Sequence, residues 1–141
     1  MARIRIHLPS EFPFRTELTV RISDINYGGH LGNDAVLSLV HEARLRFFAT
    51  HGLSEMDVGG CGIIMVDTAV EYRGEGFHGD RLLVEVGVGD VSAKGCDVLY
   101  RVSRPADGLE IARAKTGIVF YDYERRKVVR MPPAFHALLD Q

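Results

Sequence analysis

The sequence predicts an α+β domain in which one long, apolar helix is wrapped by a five-stranded antiparallel sheet. Three observations predict it. A single stretch of helical periodicity, Val36 to Phe47, is followed by four segments whose apolar residues recur at every second position. The connections between those segments are too short for the crossover helices that parallel strands need. The helix also carries apolar residues around most of its circumference, which a curled sheet covers better than a flat one.

The elements follow in chain order. Thr16, Leu18, Val20 and Ile22 alternate with Glu17, Thr19, Arg21 and Ser23, the pattern of a half-buried first strand ending at Asp24. Tyr27-Gly28-Gly29-His30-Leu31-Gly32 breaks that alternation, and Asn33 or Asp34 is placed to cap the helix. The helix presents Val36, Leu39, Val40, Ala43 and Phe47 to a core and is expected to end near Gly52. Ala35, Leu37, Leu45 and Phe48 fill other sectors, so little of its circumference is left for water. Ile63 to Tyr72, Leu82 to Val91, Cys96 to Ser103 and Ile111 to Tyr121 read as strands. Turn-rich segments at 74–80, 93–95 and 105–108 join antiparallel neighbours. Glu124 to Lys127 reads as a charged turn, and Pro132-Pro133 as the start of a short terminal helix through Phe135, Leu138 and Leu139. Exposed sheet edges and residual apolar surface predict that the chain pairs with itself.

Composition narrows the function. With 141 residues, 15.7 kDa, 46% apolar and 26% charged residues, the chain has the proportions of a single domain over 1–141 whose core needs no disulfide or structural metal. Seventeen Lys and Arg against nineteen Asp and Glu give a net charge of −2, without the positive field that nucleic-acid binding requires. No apolar run approaches the ~20 residues of a membrane span, and Met1 to Leu8 alternates charged with apolar residues rather than forming a secretory signal. The expectation is a cytoplasmic protein with neither a membrane nor a nucleic-acid partner. Cys61 and Cys96 lack any CxxC or Cys/His ligand spacing and read as buried thiols, while the six histidines contain no HExxH, so no metal is expected.

Other motifs fail in context. Gly74-Glu75-Gly76-Phe77-His78-Gly79 matches a dinucleotide-binding string, but Arg81 to Val86 continues as a strand, so no helix N-terminus follows to face a pyrophosphate. The start of a calcium loop at Asp24 lacks its closing acid, since that position holds Ala35. Without a GxSxG elbow, covalent catalysis has no support.

What remains is Val20 to Phe48, where polar residues crowd the join between a strand and an apolar helix. Asp24, Asn26, His30 and Asn33 fall within ten positions, among glycines that let the chain approach the helix's free amides. Such a helix end can hold an oxyanion: at a thioester its amides polarise the carbonyl and stabilise the charge that develops as water attacks.

These residues resemble a known family. Asp24-Ile25-Asn26, Gly29-His30, Asn33 and Glu42-Ala43-Arg44, followed by Glu71-Tyr72 and Gly79-Asp80, are similar to the signature of the hotdog-fold acyl-CoA thioesterases, in particular their 4-hydroxybenzoyl-CoA thioesterase-like branch. The resemblance covers nearly the whole chain. It implies the hotdog fold, subunits paired edge to edge as a homodimer or homotetramer, a site shared across the interface, coenzyme A thioesters as substrates, and no cofactor beyond the substrate's own coenzyme A.

One position departs from the pattern: the family's catalytic aspartate is replaced by Asn26, which cannot serve as a general base. The resemblance then assigns the Asn33 N–H to the thioester carbonyl, Asn26 to holding substrate or water, and the proton acceptor to Glu42, Asp24 or His30, with Glu42 preferred. Each has a structural alternative. Glu42 stands four residues before Arg46, the spacing of a helical ion pair. Asp24 can cap the Tyr27-Gly28 turn, His30 can orient the loop, His41 reads as a helix-surface histidine, and the Asn33 side chain reads as a cap. Two other functions compete: a non-catalytic acyl-CoA or acyl-carrier binding protein, motivated by Asn26, and a hydroxyacyl dehydratase, which needs a paired His and acid.

Overall fold

The structure, a computed structural model, describes residues 1–139; the last two positions of the expected domain, 140 and 141, lie outside the described residues. Six strands and one long helix form it: β1 (Phe14–Thr19), α1 (Asn33–Ala49), β2 (Gly62–Tyr72), β3 (Arg81–Gly89), β4 (Gly95–Arg104), β5 (Leu109–Asp122) and β6 (Lys127–Val128). All pairings are antiparallel, in the order β1-β3-β4-β5-β2. The sixth strand was not visible as a period of two, because it is only two residues long. It pairs with Tyr121 and Asp122, continuing β5's ladder where β4 has already ended at Gly95.

The helix lies across one face of this sheet. Val36, Leu39, Val40, Ala43, Phe47 and Phe48 are buried with the inward residues of the central strands, among them Val84, Val98, Tyr100 and Ala114. Burying each large apolar side chain contributes roughly 1.5–3 kcal/mol. The helix nevertheless keeps an outer face, with Leu37, Ser38, His41, Glu42, Leu45 and Arg46 exposed. A single sheet reaches only one side of a cylinder, so the near-complete coverage expected from the apolar content is not supplied within one chain.

Three local differences from the sequence reading have physical causes. β1 stops at Thr19, since the Asp24 carboxylate accepts the Arg21 N–H (2.8 Å) and closes a 3₁₀ turn, Ile22–Asp24, that leaves Ile22 pointing outward. The helix N-cap is Gly32, in extended conformation, which makes Asn33 the first helical residue rather than the cap. At the other end α1 stops at Ala49 and a turn runs to Gly52, which adopts φ 71°. The Pro133–Leu138 segment is a 3₁₀ helix that seats Phe135 against Phe48 and Phe120. Cys96 is buried, and burial pushes its thiol up to about 12; Cys61 is only partly buried.

Within the core a polar spine joins α1 to the sheet. Arg44, almost fully buried, donates from Nε to Glu55 Oε2 (2.7 Å) and from Nη1 to the Tyr100 hydroxyl (3.0 Å), which in turn lies 2.8 Å from Thr116 Oγ1. His41 Nε2 lies 2.8 Å from the other Glu55 oxygen. A buried guanidinium is tolerated only because these partners are in place.

Candidate active site

The loop entering α1 is built by its own polar groups. Asn26 Oδ1 accepts the N–H groups of Gly28 (3.0 Å) and His30 (3.3 Å), and the Asn26 N–H donates to the His30 carbonyl (2.9 Å). Gly29 takes φ 81°, a conformation other residues rarely adopt, at the apex of this turn. The Gly32 N–H then donates to the Asp24 carbonyl (2.9 Å), so the chain returns to where it left and starts the helix there. A Cβ on Gly32 would lie 2.7 Å from Asp34 Oδ1, so this close return requires glycine or a moved Asp34.

A second loop, residues 73–80, docks onto the first. The Leu31 N–H donates to the Gly76 carbonyl (2.7 Å), and the Val20 N–H to that of Asp80 (2.9 Å). This brings Glu75 Oε2 to 3.5 Å from His30 Nε2 and sets the Phe77 ring edge-on to the imidazole at 5.3 Å. From the end of β2 the Tyr72 hydroxyl donates to the Asn33 carbonyl (3.0 Å). Burial, and then the Asp34 carboxylate, push the Tyr72 phenol above its ordinary value. The amides of Ala35 and Val36 donate to the Gly32 carbonyl, whereas those of Asn33 and Asp34 have no partner among the described residues. Two open donors therefore sit at the positive end of a 17-residue helix.

The five residues singled out from sequence divide into two groups. Asn26, His30 and Asn33 are brought together at this helix entrance. Asp24 lies behind it, buried, with its carboxylate held by the N–H and guanidinium of Arg21; it caps the 3₁₀ turn, while the Tyr27-Gly28 turn is held by Asn26 instead. Glu42 is elsewhere. Nine residues at about 100° each carry it roughly halfway around the helix from Asn33 and about 13 Å along the axis. There it accepts Arg46 Nε (2.8 Å), the ion pair its spacing suggested, on the flank next to β1. Within one chain, Glu42 and the Asn33 amide do not form a single site.

The sequence pattern points neither to Glu75 nor to the bond from Tyr72. Glu71-Tyr72 is part of the motif, but Tyr72 meets Asn33 across 39 positions and Glu75 meets His30 across 45, separations that no local period encodes. Leu37, Val40 and Met65 border one hollow of about 200 Å³, together with Arg44, Thr68 and Thr116. Phe77 lies on the second loop, against the His30 ring. Asn33, Leu37, Val40 and Arg44 follow a helical i, i+4, i+7, i+11 stripe, so the hollow lies on the same flank of the helix as Asn33.

A long helix laid across an antiparallel sheet, with a polar loop at its open N-terminus, is the hotdog architecture. Residues 20–139 match the model of the thioesterase-like superfamily, and the chain belongs to that family. The fold is similar to that of a 1,4-dihydroxy-2-naphthoyl-CoA thioesterase from Synechocystis, at 24% identity and a TM-score of 0.83 over 91% of this chain and 96% of that one. It is similar to a DHNA-CoA thioesterase from Staphylococcus aureus at 19% identity, with a TM-score of 0.77 over 88% and 86% of the two chains. The probable thioesterase YbaW from Escherichia coli gives 18% identity and a TM-score of 0.68 over 82% and 88%. No curated protein shows significant similarity in sequence.

Proposed function

We propose that the protein is an acyl-CoA thioesterase that hydrolyses a coenzyme A thioester to the free acid and CoA without a covalent intermediate. The observation that carries this reading is the pair of open amides at Asn33 and Asp34, facing the loop that holds Asn26 and His30. In this reading the amides receive the thioester oxygen and stabilise the oxyanion. Water bonds to the carbonyl carbon and the C–S bond breaks. His30 takes the proton from the water and returns it to the departing thiolate. Nε2 lies 3.5 Å from Glu75 Oε2, so in this reading Nε2 carries the proton and Nδ1, on the side of the ring facing Gly28, is the accepting nitrogen. Asn26 positions this machinery by fixing the backbone of His30. Glu42 reaches a helix entrance only if that entrance belongs to a second copy.

The acyl group is assigned to the hollow along Leu37, Val40 and Met65. One wall of it is β2, an outermost strand whose Met65 to Thr68 stretch is exposed and whose Val66 lies at a register shift. We assign this edge, with Leu37 and Leu45 exposed nearby on the helix, to pairing with a second copy, which closes the hollow from outside. Sedimentation is expected to give at least twice 15.7 kDa; a monomer at micromolar concentration contradicts the pairing. No helix among the described residues is long and apolar enough to cross a membrane.

The test is free-thiol release by purified protein from a panel of aliphatic and aromatic acyl-CoAs, with a His30→Ala variant as the blank. Release by the parent, lowered about 100-fold or more in the variant, is expected. Equal release by both removes His30 from the reaction. Saturable acyl-CoA binding without release makes the chain a binding protein.

A further inference from the structure

The N-terminal segment lies outside the family match, which begins at residue 20, yet it is firmly placed. Ile6 is buried; its N–H donates to Glu71 Oε1 (2.9 Å) and its carbonyl accepts Arg113 Nη1 (3.1 Å). This anchors Arg3, Ile4 and Arg5 against the end of β2, where with Glu71, Tyr72 and Arg73 they line a cavity of about 290 Å³. At about 30 Å³ per water, that is room for a multi-atom polar group.

The charges in this cavity are unbalanced. Arg73 is paired with Glu71 (2.7 Å) and lies 3.8 Å from Glu110. Glu71 is further committed to the Ile6 N–H, and that bond, followed by Arg73, holds its carboxyl below the usual range. Arg3 and Arg5 are exposed and have no ion pair among the described residues. Two arginines without an ion pair therefore line one cavity with a third, in a chain whose net charge is −2. Planar five-donor forks are suited to the tetrahedral oxygens of phosphate. The cavity also adjoins the helix entrance, since Tyr72 lines it and donates to the Asn33 carbonyl (3.0 Å).

We propose that Arg3, Arg5 and Arg73 form the seat for the phosphate groups of the coenzyme A handle. The proposal rests on the thioesterase reading and adds what that reading leaves open, the recognition of the nucleotide end. A contact made to the handle, away from the reacting carbonyl, is present equally in the ground and transition states, so it lowers KM and leaves kcat alone.

The experiment compares the parent with an Arg3→Ala/Arg5→Ala double variant, both side chains being exposed and outside the core. One acyl group is presented as its CoA thioester and as its N-acetylcysteamine thioester, which carries no phosphate. The expected result is a rise of about tenfold or more in KM for the CoA thioester. The ratio of kcat/KM between the two substrates falls by the same factor, and the salt dependence of KM for the CoA thioester flattens. An unchanged ratio overturns the proposal while leaving the thioesterase reading intact. Should the parent hydrolyse neither ester, the thioesterase reading falls, and calorimetry with CoA and with pantetheine decides the seat separately. Weaker binding of CoA alone in the variant sustains it, and equal binding overturns it.

Discussion

Truncating Phe47 to alanine is expected to cost about 3–5 kcal/mol of stability, the range for a large aromatic removed from a close-packed core. Phe47 is fully buried, and its ring stacks on Phe14 with centroids 5.3 Å apart and an interplanar angle of 27°. It also contacts Phe48 at 6.3 Å and His51 at 5.8 Å. Phe14 lies on β1, the outermost strand on one side of the sheet, so this stack fastens the C-terminal half of the helix to that edge. Against a total of roughly 5–15 kcal/mol for a domain, the loss removes a large share of the folding free energy. Denaturant unfolding should show it as a lower midpoint at similar slope, and thermal unfolding as a drop of roughly 10–20 °C. A loss under about 1 kcal/mol would mean that the site collapses around the gap, and that the helix is held chiefly by its other contacts.

The sheet and the helix were largely legible in the sequence because their signals are periodic. β3 to β5 alternate over 9 to 14 residues, and they, like β2, lie within two residues of where the sequence pattern places their ends. What escaped depends on single hydrogen bonds. Ile22 continues the alternation of β1, yet it is exposed because Asp24 draws the chain into a turn three residues after β1 ends. The helix cap falls at Gly32 through a backbone bond instead: its N–H donates to the Asp24 carbonyl, and no side chain caps the helix.

The candidate site was legible in part. The cluster of polar residues before an apolar helix marked the entrance, and Asn26, His30 and Asn33 do meet there. Sequence spacing alone could not show that Asp24 is turned inward, because the carboxylate's partner is the backbone and guanidinium of Arg21 rather than the Tyr27-Gly28 turn. The placement of Glu42, by contrast, follows from the spacing once the helix is given: a carboxylate nine residues after Asn33 falls on the far side of the helix, whatever its chemistry. Tyr72, Glu75, Arg3 and Arg5 reach the entrance or its neighbourhood only through tertiary contacts.

In the proposed mechanism a backbone amide at the start of α1 receives the thioester oxygen, and Asn33 allows that amide to be deleted with little harm to the fold. Proline is favoured at the first helical position because its missing N–H has no helical partner there. Gly32, which precedes it, already has φ −68° and ψ 148°, the extended conformation that a residue before proline adopts. Asn33→Pro therefore removes one donor, and Asn33→Ala, which changes the side chain but keeps the N–H, is its control. Loss of one oxyanion donor from a hydrolase site costs about 10²–10³ in kcat. The deciding measurement is kcat for the best acyl-CoA of the panel with both variants, after far-UV circular dichroism has shown that each is folded. Turnover near the parental value is expected for alanine, and a loss of about 100-fold or more for proline. Equal turnover by a folded Asn33→Pro protein would contradict it, and would place the oxyanion somewhere other than the Asn33 amide.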